Sequence, residues 1–167
     1  MSGLSISFID LLVKGIPEGF LFVFAVYIFT RIKFDVKKYL ILSVLFTILT
    51  YVYRKLPIFF GVNTILSLLT LILLFIVFYR VNLQILIKTI VSVIAIAIII
   101  IISEELNFLI LNGIYGHEKT QSLFKTEYGV SIYSIPSTIM FAVIVFIVFF
   151  VLLYIDKHKK DNDGNAG

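Results

Sequence analysis

The sequence predicts an all-α fold, a polytopic membrane bundle of about five transmembrane helices. Three observations lead there. Of the 167 residues, 60% are hydrophobic and only 14% charged, and the mean hydropathy is +1.10, whereas a soluble domain carries about a quarter charged residues. The apolar residues run in stretches of about 20, the length that crosses a bilayer core. The charges gather in short patches between those stretches.

The first span is expected over about 8–30. It ends at a basic patch, Arg31, Lys33, Lys37 and Lys38, with Asp35 among them. The second covers about 39–53 and stops at Arg54-Lys55-Leu56-Pro57, because proline lacks a backbone donor and disfavours helix in the residue before it. The third runs over about 59–79, and Arg80-Val81-Asn82 turns the chain into the fourth, about 83–103. The Ile, Ala and Val run inside that fourth span suggests a strand by propensity, but its length fits a lipid-embedded helix. A long polar connection from Asn112 to Ile135 follows, and Phe124 and Tyr128 make it a candidate lid. Pro136 suits the first turn of the fifth span, about 136–155, with Ser134 as a candidate cap. Residues 1–156 thus read as one transmembrane domain, and 157–167 as a polar cytoplasmic tail, with no internal repeat.

Several function classes fall away on composition. There is no cysteine, so disulfides, thiolate zinc sites and cysteine nucleophiles are excluded. His117 and His158 lack metal-ligand spacing, and no metal or cofactor is expected. The segment Met1 to Ser7 has no basic region, and no small-residue cleavage site follows the first apolar run. That run is therefore expected to be a retained helix. The net charge of +4 comes from basic residues flanking the spans, where they set topology and meet lipid headgroups. The lipid bilayer is the expected partner, and nucleic acid is not. With the C-terminus inside, nine of the 14 basic residues (Arg31, Lys33, Lys37, Lys38, Arg80, Lys88, Lys157, Lys159 and Lys160) lie on the cytoplasmic side. The positive-inside rule then puts the N-terminus outside a bacterial inner membrane.

The residues that depart from this apolar background cluster by depth. Asp10, Lys14 and Glu18 are spaced by four, so on a helix they climb one face. At 1.5 Å per residue, Lys14 lies about 6 Å and Glu18 about 12 Å deeper than Asp10. Charge inside a bilayer costs about 2.5–3.5 kcal/mol per group even on lenient scales, so such groups face a protein interior or a wet cavity. The second helix delivers Arg54 to the same end, the third starts there with Asn63, and the fourth arrives with Glu104 and Glu105. These seven residues form the candidate binding site for a ligand or partner. Glu18 is its floor, Arg54 or Lys14 its counter-charge, and Gly15, Pro17 and Gly19 loosen the first helix beside it.

Three families bear on function. Glu104-Glu105 is similar to the start of the EExxxR signature of CAAX-type intramembrane proteases, but Leu106-Asn107-Phe108-Leu109 follows, without the arginine. No catalytic residues and no enzymatic activity are expected. The size and hydropathy are similar to the substrate-binding subunits of energy-coupling-factor transporters, although their AxxxA contact is missing. The segments Lys14-Gly15-Ile16-Pro17-Glu18-Gly19-Phe20 and Arg54-Lys55-Leu56-Pro57-Ile58-Phe59-Phe60-Gly61-Val62-Asn63-Thr64 resemble the membrane-sensor region of bacterial peptide-pheromone sensor histidine kinases. That resemblance implies a sensor-like module without kinase parts. It would bind an extracellular signal, such as a peptide or small apolar ligand, or dock on a sensor kinase or other membrane protein.

Overall fold

The computed structural model describes residues 11–55, 60–79, 82–125 and 127–164, and every regular element among them is a helix. Helix α1 (Leu11–Thr30) opens with a π-helical stretch, Leu11–Gly15, and continues as α-helix over Ile16–Thr30. It is followed by α2 (Val36–Lys55), α3 (Phe60–Tyr79) and α4 (Leu83–Tyr115). Two short helices, α5 (His117–Leu123) and α6 (Glu127–Tyr133), lead into α7 (Ile135–Gly164). The five long helices alternate in direction, so their ends meet at two levels, the Glu18 end and the Arg31 end.

Each boundary has a local cause. Pro17 has no N–H for the Val13 carbonyl and its ring crowds that carbonyl, and the wide π-turn relieves the conflict. Arg31 takes a left-handed conformation (φ 54°) and donates its N–H to the Tyr27 carbonyl, ending α1. Asp35 Oδ1 accepts from Lys37 N at 3.0 Å and Lys38 N at 3.3 Å, starting α2. Asn82 Oδ1 accepts from Ile85 N at 3.0 Å and caps α4. Ser134 does not cap α7 with its side chain; its Oγ donates to the Val130 carbonyl at 2.6 Å.

Helix α4 runs twelve residues past the expected end at Ser103. At 33 residues it is about 50 Å long. The Asn112–Ile135 connection is mostly helical, because α5 and α6 return along the projecting part of α4. Buried Asn107 fixes that return by donating Nδ2 to the Tyr133 carbonyl at 2.7 Å. The polar tail continues α7 as helix to Gly164.

Helix α1 packs against α2, α4 and α7 and is the most enclosed: 33% of its span is buried, against 22% in α2 and α4. Val23, Ala25 and Val26 of α1 meet Leu42 and Phe46 of α2, Leu71 and Phe75 of α3, Ile96 of α4 and Val145 of α7 in one core. The polarity of the bundle is inverted relative to a water-soluble one. On α4, Ile87, Val91, Ile94, Ile98 and Ile101 face outward while Thr89, Ser92 and Ser103 are buried. The buried hydroxyls satisfy themselves on their own helix, Thr89 on Ile85 O (2.8 Å), Ser92 on Lys88 O (2.6 Å) and Ser103 on Ile99 O (2.8 Å). Four segments are long and apolar enough to cross a membrane, within α1, α2, α4 and α7, and α3 contributes the shorter apolar stretch Asn63–Tyr79. Such a surface fits a lipid environment.

At the Arg31 end the bundle is closed by rings. Tyr27 and Tyr79 share a hydrogen bond. Phe34, Tyr39 and Phe75 pack around Tyr27 with centroids 5.1, 6.1 and 5.3 Å away.

Near the other end, Gly19 lets α1 and α2 approach closely. A Cβ there would collide with Thr47 Oγ1 and lie 3.2 Å from Thr47 Cβ. Threonine is stiff at χ1, so the collision is not relieved cheaply. Gly19→Ala is therefore expected to destabilise the bundle by about 1–3 kcal/mol, despite alanine's better helix propensity. Thermal unfolding in detergent checks this, and the Thr47→Ala background should recover most of the loss. Equal loss in both backgrounds would place the strain elsewhere.

Candidate functional site

Four helices bring polar side chains to one place near the π-turn. Lys14 and Glu18 lie one turn apart on α1, with Nζ to Oε1 at 3.8 Å. Lys14 also reaches Glu104 Oε1 of α4 at 3.8 Å. Arg54, near the end of α2, sits 3.4 Å from Glu18 Oε2. Thr138, in the first turn of α7, donates Oγ1–H to Glu18 Oε1 at 2.9 Å. Glu18 is thus held from α1, α2 and α7, and Lys14 extends the cluster to α4.

The cluster is enclosed unevenly. The Lys14 and Glu18 side chains are 12% and 16% exposed, whereas Arg54 and Glu104 are 37% and 43% exposed. Two carboxylates and two cations give it no net charge. A second ion pair, Arg31 to Asp156 at 2.9 Å, joins α1 to α7 at the far end, but both side chains are about half exposed. The exposed pair is worth little, while the enclosed cluster leaves an uncompensated charge if one member is removed.

Of the seven residues expected from the sequence, Lys14, Glu18, Arg54 and Glu104 meet directly. Asp10 lies outside the described residues. No hydrogen bond or ion pair among the described residues joins Asn63 to the cluster, and its Oδ1 is buried without a hydrogen-bond partner there. Glu105 is exposed on α4 beside Glu104, and no ion pair among the described residues joins it to the cluster. Of the candidate lid residues, Phe124 packs on Phe108 of α4 with centroids 6.0 Å apart, and the Tyr128 side chain lies outside the described residues. Helix α6 packs against the π-turn itself, so the connection closes over this end of α1.

The sequence reading missed three hydroxyls. Thr138, Ser137 and Ser103 line, together with Glu18 and Glu104, a crevice of about 10 Å³ floored by Phe22 and Phe141. Their signal was faint, because serine and threonine are common in helices that pack closely. The crevice has room for about one water. As it stands, the site is a packed ionic joint between helices and not an open cavity for a large molecule. The groups gathered there offer charge recognition and hydrogen bonding.

Comparison with protein-family models, with curated proteins and with solved structures gave no match to this chain.

The two ion pairs should separate in double-mutant cycles read by thermal unfolding. The Glu18→Gln and Arg54→Gln pair is expected to show a coupling of about 1 kcal/mol or more, because Glu18 is enclosed. The Arg31→Gln and Asp156→Asn pair should couple by less than about 0.5 kcal/mol. Equal couplings would mean that the Glu18 cluster is solvated and ordinary.

Proposed function

We propose that the chain is a non-catalytic multi-pass protein of a bacterial cell membrane, acting as a sensor-like or regulatory module through the Glu18 cluster. Its N-terminus lies outside and its C-terminus in the cytoplasm, which places the cluster in the outer half of the bundle. The observation that carries this reading is the joint itself: four charged side chains and Thr138 tie α1 to α2, α4 and α7 beside a π-turn. A π-turn can return to α-helical register, and such turns recur at functional sites. Helix α1 therefore has two arrangements available, with the cluster biasing the balance between them.

A ligand shifts such a balance only by preferring one arrangement. A peptide or small apolar signal that competes for Arg54 or Glu104, the more exposed members, would loosen the hold on α1. A partner helix presenting its own charge would do the same from within the bilayer. The resemblance of the Lys14–Phe20 and Arg54–Thr64 segments to the sensor region of peptide-pheromone kinases makes a sensor kinase the first partner to test. The alternative, a substrate-binding subunit of a small-molecule transporter, would need a vitamin-sized cavity at the cluster, where the crevice holds about one water.

Capture of the tagged full chain from native membranes in mild detergent, with partners identified by mass spectrometry, tests the proposal. A sensor kinase or peptide-processing protein is expected with the wild type and should be lost with Glu18→Gln and Arg54→Gln. Identical recovery with the variants would contradict a role for the cluster. Recovery of an ATPase pair with a membrane coupling subunit would replace this reading by transport.

A further inference from the structure

The Arg31 end of the bundle carries more cations than its carboxylates pair. Asp35 accepts from Lys37 N and Lys38 N at the start of α2, and Asp156 accepts from Arg31 at 2.9 Å. The Lys38 side chain lies over the Tyr79 ring, 4.6 Å from its centroid. Lys33, Lys37 and Lys157 are exposed and form no ion pair among the described residues. The Arg31–Asp156 pair joins the two stretches that carry them, since Lys33 follows Arg31 closely in the α1–α2 link and Lys157 follows Asp156 on α7. The opposite end differs in kind. There Lys14 and Arg54 are paired with carboxylates, Lys55 and Lys119 lie 4.6 and 5.5 Å from the Tyr51 and Tyr115 ring centroids, and exposed Glu105 and Glu118 add negative charge.

Apolar side chains sit between the unpaired lysines. Phe34 and Val36 alternate with Lys33 and Lys37, and they are 47% and 59% exposed. The covered side of Phe34 packs on Tyr27 and Tyr39, with centroids 5.1 and 5.2 Å away, so the link is pinned to the rings that close the bundle. On α7, Tyr154 is 63% exposed and stacks on His158 beside Lys157. In water such exposure is unfavourable. At a bilayer boundary the rings and the valine take the acyl-chain side, while each lysine stem lifts its ammonium to the level of the phosphates. Clustered cations at that level attract anionic lipid. An acidic phospholipid satisfies both halves of this surface. A soluble anion meets only the charges, and a zwitterionic headgroup brings its own ammonium.

We propose that the α1–α2 link and the adjoining turn of α7 bind the headgroup of an acidic phospholipid, with Lys33, Lys37 and Lys157 as its counter-charges and Phe34, Val36 and Tyr154 entering the interface beside it. The bound lipid bridges α1, α2 and α7 where the bundle is closed by rings. The site requires the chain to span a bilayer. It depends neither on the role given to the Glu18 cluster nor on which terminus lies outside.

The test uses the full chain reconstituted in phosphatidylcholine vesicles with a trace of spin-labelled lipid, whose protein-restricted and free fractions are separated by electron paramagnetic resonance. Spin-labelled phosphatidylglycerol is expected to associate about threefold or more tightly than spin-labelled phosphatidylcholine at ~0.1 M salt, and the preference should shrink at about 1 M. It should be lost when Lys33→Gln, Lys37→Gln and Lys157→Gln are combined, and kept when Lys55→Gln and Lys119→Gln are combined at the other end. All five lysines are exposed, so neither variant disturbs the packed interior, and the salt response of the wild type gives a reading that needs no variant. Equal association of the two lipids, a preference that salt leaves untouched or one that the triple variant keeps would overturn the site. Equal loss in the Lys55 and Lys119 variant would overturn it as well. Displacement of the labelled lipid by inorganic phosphate at matched ionic strength would assign the surface to a soluble anion, again against the proposal.

Discussion

Glu18 puts a carboxylate on the helix that the other helices surround, and the construction of that end of the bundle follows from keeping its charge. A charge removed from water must be paired and hydrogen-bonded or it neutralises. Here the pairing comes from one turn back on α1, from the end of α2 and from the first turn of α7. Each contact requires its helix to arrive at the depth of Glu18. The neighbouring Gly19 makes this possible, since its missing side chain is what lets α2 come close enough to present Arg54.

The two ends of the bundle are held by different physics. At the Arg31 end, Tyr27, Phe34, Tyr39, Phe75 and Tyr79 pack ring on ring over a dense apolar core, flanked by the half-exposed Arg31–Asp156 pair and by Lys38 over the Tyr79 ring. At the Glu18 end the hold is ionic, partly exposed and set beside a π-turn. Packing among aromatic rings is indifferent to ions and to charged ligands, whereas an ionic joint responds to both. The structure thus combines an end held mainly by ring packing with an end held by ion pairs, and α1 runs through both. That asymmetry is the physical content of a sensor-like reading.

Much of this was legible in the sequence because hydropathy alternation fixes where spans lie, and helical rise fixes how deep each charge sits. Lys14, Glu18, Arg54 and Glu104 converge for that reason. Glu105 follows Glu104 directly yet is exposed, since depth alone carries no azimuth. The hydroxyls of Ser103, Ser137 and Thr138 escaped because the same residues at Thr89 and Ser92 do nothing more than bond back to their own helix. The Asn112–Ile135 segment read as a loop on polarity, yet the projecting end of α4 supplies a surface along which α5 and α6 form. Tyr27 and Tyr79 lie 52 residues apart, and only the tertiary fold shows that they meet.

The central claim is that the Glu18 cluster holds one end of the bundle and leaves the other to packing. Pulsed spin-label distances in nanodiscs address it directly, since the cysteine-free chain accepts chosen label pairs without interference. Labels at Lys55 and Glu105 report the Glu18 end, and labels at Lys33 and Lys157 the Arg31 end. All four are exposed positions. The account predicts that Glu18→Gln broadens the first distance distribution and leaves the second unchanged. Two unchanged distributions, or two that broaden together, would contradict it.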